Sequence, residues 1–295
     1  RELVFQWYLR NVDSEYQSLV GHEQELVANQ QQMRTAGTLA HVMHEQDRPA
    51  MAFALNRGEY DQRRDEVGAH TPAMLPPMTS EMAENRLGLA QWLLTEEHPL
   101  TARVTVNRFW QSVFGRGLVE TSGDFGLTGT PPSHPELLDW LAVEFRENGW
   151  DVKQIFKQIL LSQTYRQSAM VDAETLELDP NNIWLARGPR FRMDAEMVRD
   201  YVLSVSGELV SKLGGPSVRP YQPEGVWEAV AMPESNTRNY RRDTGENLYR
   251  RSLYTFWKRA APPASMDILN APSREVCTVR RERTNTPLQA LVTLN

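Results

Sequence analysis

The feature that most constrains the fold of this chain is a stripe of apolar residues near its middle. Five of them fall at positions i, i+3, i+4, i+7 and i+8, namely Val106, Phe109, Trp110, Val113 and Phe114. Side chains with this spacing share one face of an α-helix, and such a face needs other elements to cover it. Pro99 and Gly115 are typical of a helix start and a helix end, so we predict a helix between them.

Other segments with the same period predict that helices dominate the core. Apolar residues recur in this way over residues 84–95 and 194–213, in a segment that ends at Asn148-Gly149 and in one that starts at Asp151. The last two are separated by a very short turn, which predicts an αα-hairpin. We therefore predict a mainly α fold, a helical core with αα-hairpins, with small β elements near the N- and C-terminal parts.

Four short segments have the alternation or the composition expected of strands. Two lie near the N-terminus, TLAHVMHE (38–45) and AMAFALNRGEY (50–60), and we predict that they pair. The other two are SLYTFW (252–257) and REVCTVRR (274–281). They predict a small β element rich in arginine.

Changes in composition and period divide the chain into four parts. Residues 1–34 are a helical lead-in, which we interpret as the end of a preceding region, and residues 35–81 hold a short β segment and a proline-rich linker. Residues 82–215 form the helical core, and residues 216–295 form a loop-rich, arginine-rich β/α part. Because the chain starts and stops inside helical patterns, we interpret it as a piece of a longer protein, truncated at its C-terminus.

Composition excludes several kinds of site within this chain. No run has the apolar length of a membrane span, and the N-terminus lacks the pattern of a signal peptide. Cys277 is the only cysteine. An internal disulfide, a multi-cysteine zinc site and a haem c attachment are therefore excluded, and we predict no cofactor and no metal in this chain.

Charge is distributed unevenly along the chain. The net charge is −6, yet residues 238–283 hold eleven basic and five acidic side chains, which leaves −12 for the rest. This asymmetry allows an anionic partner for the C-terminal part.

Asp124-Phe125-Gly126 matches the DFG sequence with which protein kinases hold magnesium. A kinase also needs a glycine-rich loop, a strand lysine and an HRD loop upstream, and this sequence contains none of them. We therefore reject the kinase interpretation.

The segment SHPE, residues 133–136, allows two interpretations. In the first, Ser133 and Glu136 form a capping box at the start of a helix. In the second, Asp124, His134 and Glu136 perform acid–base chemistry or bind a metal, because a histidine beside carboxylates has a suitable pKa for proton transfer. These three are the candidate catalytic residues.

Arginines surround the single cysteine. Arg280, Arg281 and Arg283 could hold a carboxylate, sulfate or phosphate bidentately, or they could pair with the acidic central helices. Cys277 could be activated by this positive charge, but no histidine lies near it in sequence and a lone cysteine in a strand usually packs.

Two helices also carry polar residues at helical spacing. On the first, three residues four apart share a face, namely Arg103, Asn107 and Gln111. At the start of the helix over 194–213, we predict Asp194 as the N-cap and Glu196 with Arg199 as an i,i+3 ion pair. The alternative for this second cluster is a site for a polar substrate.

Several blocks of sequence occur together: NRLGLAQWLLTEEHPLTARVTVNRFWQSVFGRGLVETSGDFGLTGTPPSHPELLDWLAVEF, GWDVKQIFKQILLSQTYRQS, RFRMDAEMVRDYVLSVSG, LGGPSV, RRSLYTFWKR and SREVCTVRRERTNTPLQALVTLN. From residue 35 to residue 295 the chain resembles the planctomycete-type domain of unknown function of large cytochrome-c-associated proteins. The resemblance implies an exported protein, periplasmic, at the cell surface or secreted, in which a cytochrome c domain with haem c and a companion domain precede this one. It also implies an association with sulfatases and polysaccharide breakdown.

The resemblance implies no reaction, but it singles out residues that recur in this family. They are Asn107, Arg108, Trp110, Gly115, Gly117, Asp124, Gly126, His134, Glu136, Asp139, Trp140, Arg166, Asp194, Glu196, Arg199, Asp200, Arg280, Arg281, Thr284 and Thr286.

Our leading hypothesis is that this module binds or processes an acidic or sulfated polysaccharide. The candidate anion-binding residues are Arg280, Arg281, Arg283, Arg103, Asn107 and Arg108. One alternative is a non-catalytic scaffold that docks to the haem domain for electron transfer, through the polar face of Arg103 and Asn107. Another is a metal-dependent hydrolase at Asp124 and His134; we do not expect nucleic acid as a partner.

Overall fold

The structure is a computed structural model that describes residues 1–36, 40–44 and 51–294. It divides into two compact units, residues 1–70 and residues 71–295, each of which is described by itself. Within the described ranges helices predominate and a two-stranded sheet is present, which confirms the mainly α fold with small β elements.

The first unit begins with two helices, α1 (Glu2–Asn11) and α2 (Ser14–Ala36). The helical lead-in that we predicted is therefore present, but it is broken at Asp13. The carboxylate of Asp13 accepts a hydrogen bond from the amide of Tyr16 at 2.9 Å, as an N-cap does, so it starts the second helix.

The sheet of the first unit is an antiparallel hairpin of β1 (Ala52–Leu55) and β2 (Arg63–Val67). Ala52 lies opposite Val67, and the register shifts between Phe53 and Leu55.

The predicted strand within residues 50–60 is thus confirmed, but its predicted partner is wrong. It pairs with β2, which lies within residues 61–81, the part of the 35–81 region that we interpret from the sequence as the linker. Residues 40–44 form no strand, and the remaining residues of that prediction lie outside the described ranges. Gly58, with a φ of 81°, lies in the tight connection between β1 and β2, which lets β2 pair with the strand that precedes it.

The second unit contains helices that the apolar periodicity predicts and several shorter ones. They are α3 (Arg86–Leu93), α4 (Thr101–Phe114), α5 (Pro135–Glu147), α6 (Val152–Leu161), α7 (Gln163–Arg166), α8 (Ala173–Leu178), α9 (Ala195–Val205), α10 (Val226–Val230), α11 (Ala264–Ile268) and α12 (Pro287–Leu294). In the part of the chain that the structure describes, no helix is both long and apolar enough to cross a membrane.

The main hydrophobic core lies between α4, α5 and α6. Val106 and Trp110 of α4 are buried against α5 and α6, and Phe109 of α4 meets Phe145 of α5 with ring centroids 5.6 Å apart. As predicted, α4 ends at Gly115, which has a φ of 81°. The apolar stripe of the sequence is therefore the inner face of α4.

The predicted αα-hairpin consists of α5 and α6. Gly149 has a φ of 68° in the turn between them. Asp151 then caps α6, since its carboxylate accepts hydrogen bonds from the amides of Lys153 at 2.9 Å and Gln154 at 3.0 Å. A short turn of this kind makes the two helices antiparallel neighbours.

The helix predicted over 194–213 is shorter than expected. It ends at Val205, and Gly207 follows with a φ of 77°. The amides of Glu208 and Leu209 both donate to the carbonyl of Leu203, which closes the helix end.

The two strands predicted in the C-terminal part are wrong. Residues 252–254 form a 3-10 turn, and residues 274–281 form no strand. Cys277, within the second segment, is exposed. A side chain of α9 forms a hydrogen bond with a backbone group that would pair with another strand in a sheet: Asp200 accepts from the amide of Ser252 at 2.7 Å. The β structure that remains here consists of single bridges, such as the one between Val218 and Thr255.

Candidate anion-binding groove

The C-terminal arginines line a groove of the second unit, beside the end of α4. The groove has a volume of about 280 Å³. We call it the arginine groove, and its charged or amide side chains are Arg116, Arg280, Arg281, Arg283, Glu120, Glu282, Gln111 and Asn181. Segments that are far apart in sequence therefore form one site.

Arg283 joins the arginine segment to the end of α4. Its Nη1 donates a hydrogen bond to the carbonyl oxygen of Gly115 at 2.7 Å, and its guanidinium lies 4.6 Å from the ring centroid of Phe191. The last carbonyls of a helix have no partner within the helix and favour a cation. A Cβ on Gly115 would lie 2.8 Å from the ring of Phe191, so glycine permits both the left-handed turn and this close approach.

Arg281 is held by two carboxylates at the start of α9. Its Nη1 and Nη2 donate to the two carboxylate oxygens of Glu196, the second at 3.3 Å, and Asp194 lies 3.8 Å away. Burial by itself lowers the pKa of Arg281, but the hydrogen bonds and charge of Glu196, with Asp194, raise it above the ordinary arginine value. Arg281 is thus a permanently charged anchor rather than a free cation.

Asp194 occupies the N-cap position of α9, as predicted, but its side chain makes no capping hydrogen bond. Its carboxylate oxygens lie 3.8 Å from nitrogens of Arg281 and Arg283. The predicted pair of Glu196 with Arg199 is wrong, because Glu196 binds Arg281 and Arg199 donates to two backbone carbonyls. The acidic start of α9 therefore fixes the arginine segment.

Two arginines of the groove keep donors for a ligand. Arg280 is exposed, and no described residue forms a hydrogen bond or ion pair with it. Arg116 pairs with Glu120 at 2.6 Å through one nitrogen, which leaves its other donors unused. A guanidinium has five N–H donors in a fork that fits an oxyanion. The groove can therefore bind a carboxylate, sulfate or phosphate group.

Asn107, a predicted anion-binding residue, is fully buried. Its Oδ1 accepts from the amide of Val119 at 2.8 Å, and its Nδ2 donates to the carbonyl of the same residue at 3.0 Å. Gly117 lies so close that a Cβ there would meet the amide of Asn107 at 2.7 Å. Asn107 therefore fixes the loop after α4, and its side chain is not available to a ligand.

The other two predicted residues of α4 lie outside the arginine groove. Arg103 donates to Asp139 at 2.6 Å and to the carbonyl of Pro99 at 2.7 Å, which ties α4 to α5. Arg108 is exposed. Because Asn107 is buried, Arg103 and Asn107 do not form the joint polar surface on which the scaffold hypothesis was based.

Asp124 fixes a tight turn. Its carboxylate accepts hydrogen bonds from the hydroxyl of Thr128 and from the amide of Gly126, the latter at 2.8 Å. These two bonds, Thr128 first, lower the pKa of Asp124, although burial acts weakly against them. An aspartate in this environment stays ionised, which suits an acceptor in a turn better than a general acid.

The capping box predicted at Ser133 and Glu136 is wrong. Helix α5 begins at Pro135 with His134 as the N-cap residue, and no side chain caps it. The hydroxyl of Ser133 instead donates to the carbonyl of Leu118 at 3.3 Å and lies 3.0 Å from Nδ1 of His134. Ser133 therefore links the start of α5 to the loop after α4.

The three candidate catalytic residues do not line the arginine groove. Ser133, next to His134, lines a neighbouring cavity of about 30 Å³ that shares Arg116, Gly117 and Asn181 with the groove. Across the described ranges, no group of three or more histidine, cysteine or acidic side chains is arranged to hold a metal ion. Asp124, His134 and Glu136 are thus not among the residues that line the groove together with Arg280, Arg281 and Arg283.

Arg116 and Asn181 are groove residues that the sequence did not lead us to select. Arg116 lies between two glycines, Gly115 and Gly117, a position that indicates a tight turn at a helix end. That signal was available in the sequence. Asn181 lies in a segment without periodicity, and its place in the groove depends on tertiary structure alone.

Residues 85–295 match the PSD1 family, described as a protein of unknown function (DUF1553). The matched range includes every residue of the arginine groove. No curated protein and no solved structure matches the chain.

Proposed function

Because the chain belongs to the PSD1 family of unknown function (DUF1553), we propose its function from its own groove: it binds an acidic or sulfated polysaccharide. The observation that carries the proposal is the exposed, unpaired Arg280 in a groove with three further arginines. Guanidinium groups bind sulfate and carboxylate through paired hydrogen bonds, so one groove can hold an anionic substituent of a chain-like ligand.

The charge balance of the groove supports a selective site rather than a general polyanion surface. Arg281 is matched by Glu196, and Arg116 by Glu120. Arg283 lies 3.8 Å from Asp194, so the positive charge that is left for a ligand lies mainly on Arg280. Nucleic acid binding requires many basic side chains that contact successive phosphates, and a chain with a net charge of −6 has fewer unpaired basic side chains for this than a basic protein has.

The proposal is one of binding, without a chemical step. Asp124 stays ionised in its turn and does not line the groove, and neither do His134 and Glu136. Of the carboxylates that do line the groove, Glu120 pairs with Arg116, and we assign no proton transfer to Glu282.

The resemblance in sequence supports a proposal for the setting of this activity. We propose that the chain is a module of an exported planctomycete-type protein, acting in the periplasm, at the cell surface or outside the cell. Its partners would be a cytochrome c domain, which carries haem c, and a companion domain of the same polypeptide. Mass spectrometry of the native polypeptide with haem staining tests this setting.

The binding proposal is tested by titration calorimetry with a sulfated glycosaminoglycan at two salt concentrations. We expect binding that weakens as salt rises. The Arg280→Ala variant should bind about tenfold more weakly, since it loses one charge-assisted contact.

Arg241→Ala is the matched control, because Arg241 is exposed in the same arginine-rich part but does not line the groove. It should bind as the parent protein does. Absence of salt-sensitive binding by the parent protein, or equal losses in the two variants, contradicts the proposal.

A further inference from the structure

We infer that the arginine groove continues into a sugar-binding surface at Trp184, so that the ligand is a sulfated or uronic acid oligosaccharide rather than a free anion. This inference rests on the proposed function and names the ligand class of the same site. It is carried by the loop of residues 179–187, which we call the tryptophan loop.

The tryptophan loop contributes a wall to both cavities. Its Asn181 lines the arginine groove and the adjoining cavity of about 30 Å³, and Asn182, Ile183 and Leu185 line the latter. Trp184 follows Asn181 by three residues, which span at most roughly 11 Å of extended chain. Trp184 itself lines neither cavity, so the ligand that we infer extends from the arginine groove past Asn181 to the exposed indole.

Buried side chains hold the loop in one shape. The carboxylate of Asp179, which is 4% exposed, accepts from the amides of Ile183 and Trp184, both at 2.8 Å. The side chain of Asn182 donates to the carbonyl of Arg187 at 2.9 Å. A binding surface on such a loop needs little ordering when the ligand arrives.

Two residues of the loop keep left-handed backbone conformations without being glycine. Asn182 has a φ of 50° and Leu185 a φ of 55°. This conformation is unfavourable for a leucine, and it persists here because Leu185 packs against the main hydrophobic core. The fold therefore enforces a loop shape in which Trp184, the residue before Leu185, is exposed.

Trp184 is 66% exposed, whereas Trp92, Trp110 and Trp227 of the same unit are 5% exposed or less. Asn181, which lines both cavities, has an amide side chain that can donate to and accept from a ligand. An exposed indole has an apolar face and a polar edge, which matches the C–H face and the hydroxyl groups of a pyranose ring. Arginines for the anionic substituent and a tryptophan for the ring together select a charged sugar.

The test compares three probes on the full chain by equilibrium dialysis: a chondroitin sulfate tetrasaccharide, inorganic sulfate, and an eight-residue oligothymidylate. Trp184→Ala should weaken tetrasaccharide binding about tenfold, by loss of one stacked ring, and should leave sulfate binding unchanged. Trp184→Phe should restore most of the affinity. Trp140→Ala is the matched control, since Trp140 is 53% exposed on α5, outside the groove, and should bind as the parent does.

The outcomes separate the two proposals. If the parent protein binds neither the tetrasaccharide nor sulfate, the proposed function itself fails. If the parent binds the tetrasaccharide but Trp184→Ala binds it equally well, the proposed function stands and the tryptophan surface is refuted. Tighter binding of the oligothymidylate than of the tetrasaccharide overturns the ligand class, because nucleic acid bases also stack on tryptophan.

Discussion

Arg281 and Glu196 form a two-pronged ion pair between residues 85 positions apart in the chain. Both terminal nitrogens of Arg281 donate to the carboxylate, so this arginine joins the C-terminal segment to α9. Arg280, its neighbour, has no such partner among the described residues. Adjacent arginines therefore have different roles, one structural and one free for a ligand.

Substitution of the two arginines should separate these roles. Arg281→Ala leaves Glu196 without its donor, and we expect a loss of about 1.5–3 kcal/mol in the free energy of unfolding, measured by urea denaturation. Arg280→Ala should leave the unfolding midpoint unchanged. Equal midpoints for the two variants would contradict the assignment.

Asn107→Ala should be among the most destabilising substitutions on α4. It leaves the amide and the carbonyl of Val119 without partners in a buried place, which we expect to cost about 2–4 kcal/mol. Urea denaturation measures this cost. Arg108→Ala, on the exposed side of the same helix, is the control and should have little effect; similar losses for both would show that Asn107 is not a structural residue.

The turn around Asp124 should loosen in acid. The pKa of Asp124 is lowered in the folded protein, so its contribution is present above the ordinary aspartate pKa and is lost as the pH falls through the lowered value. The protection factor of the Gly126 amide, the exchange rate of an unfolded chain divided by that of this amide at the same pH, should fall over that range. Asp124→Ala should have low protection at every pH, whereas Glu136→Gln should retain the pH dependence of the parent; a flat protection profile in the parent protein contradicts the turn's dependence on the carboxylate.

The hydroxyl of Tyr240 should lose its proton at a higher pH than an ordinary tyrosine does. Burial, and next the charge of Asp243, raise its pKa from 10 to about 12, although Arg219, Arg199 and Arg242 act in the opposite direction. The folded state holds this proton more tightly than the unfolded state, so stability should be full below pH 10 and fall as the pH rises toward 12.

Absorbance of tyrosinate against pH measures this titration. Tyr240→Phe should remove the step near pH 12 and should cost about 1 kcal/mol of stability, through loss of its hydrogen bond to the carbonyl of Pro220. Tyr221→Phe, at an exposed tyrosine, should leave that step in place. A step near pH 12 that survives in Tyr240→Phe would belong to another residue.

The helices of the core were predictable because their period is local. The stripe on α4 and the glycine at its end depend on neighbours within one or two turns, and the structure has both. The strand predicted at 252–257 failed for the opposite reason. Asp200 and Arg199, about 50 residues away in the chain, form hydrogen bonds with the amide of Ser252 and with the carbonyl of Arg250 just before this segment. The local sequence does not indicate such contacts.

The candidate site was predictable in part for the same reason. The excess of arginine in residues 238–283 is visible in composition, and the groove contains three of those arginines. What each arginine binds depends on tertiary structure: the carboxylate that occupies Arg281 lies on α9, and the tryptophan loop has no periodicity. Asn107 was misassigned because its spacing on the helix indicates a face but not whether that face is buried.

The bond from Arg283 to Gly115 spans 168 residues. A contact of such long sequence separation forms only after the intervening helices have found their places, because the entropy of closing so long a segment opposes it until then. We therefore expect partly folded chains to lack the groove. A ligand that occupies the groove binds only the native state and shifts the folding equilibrium toward that state by mass action.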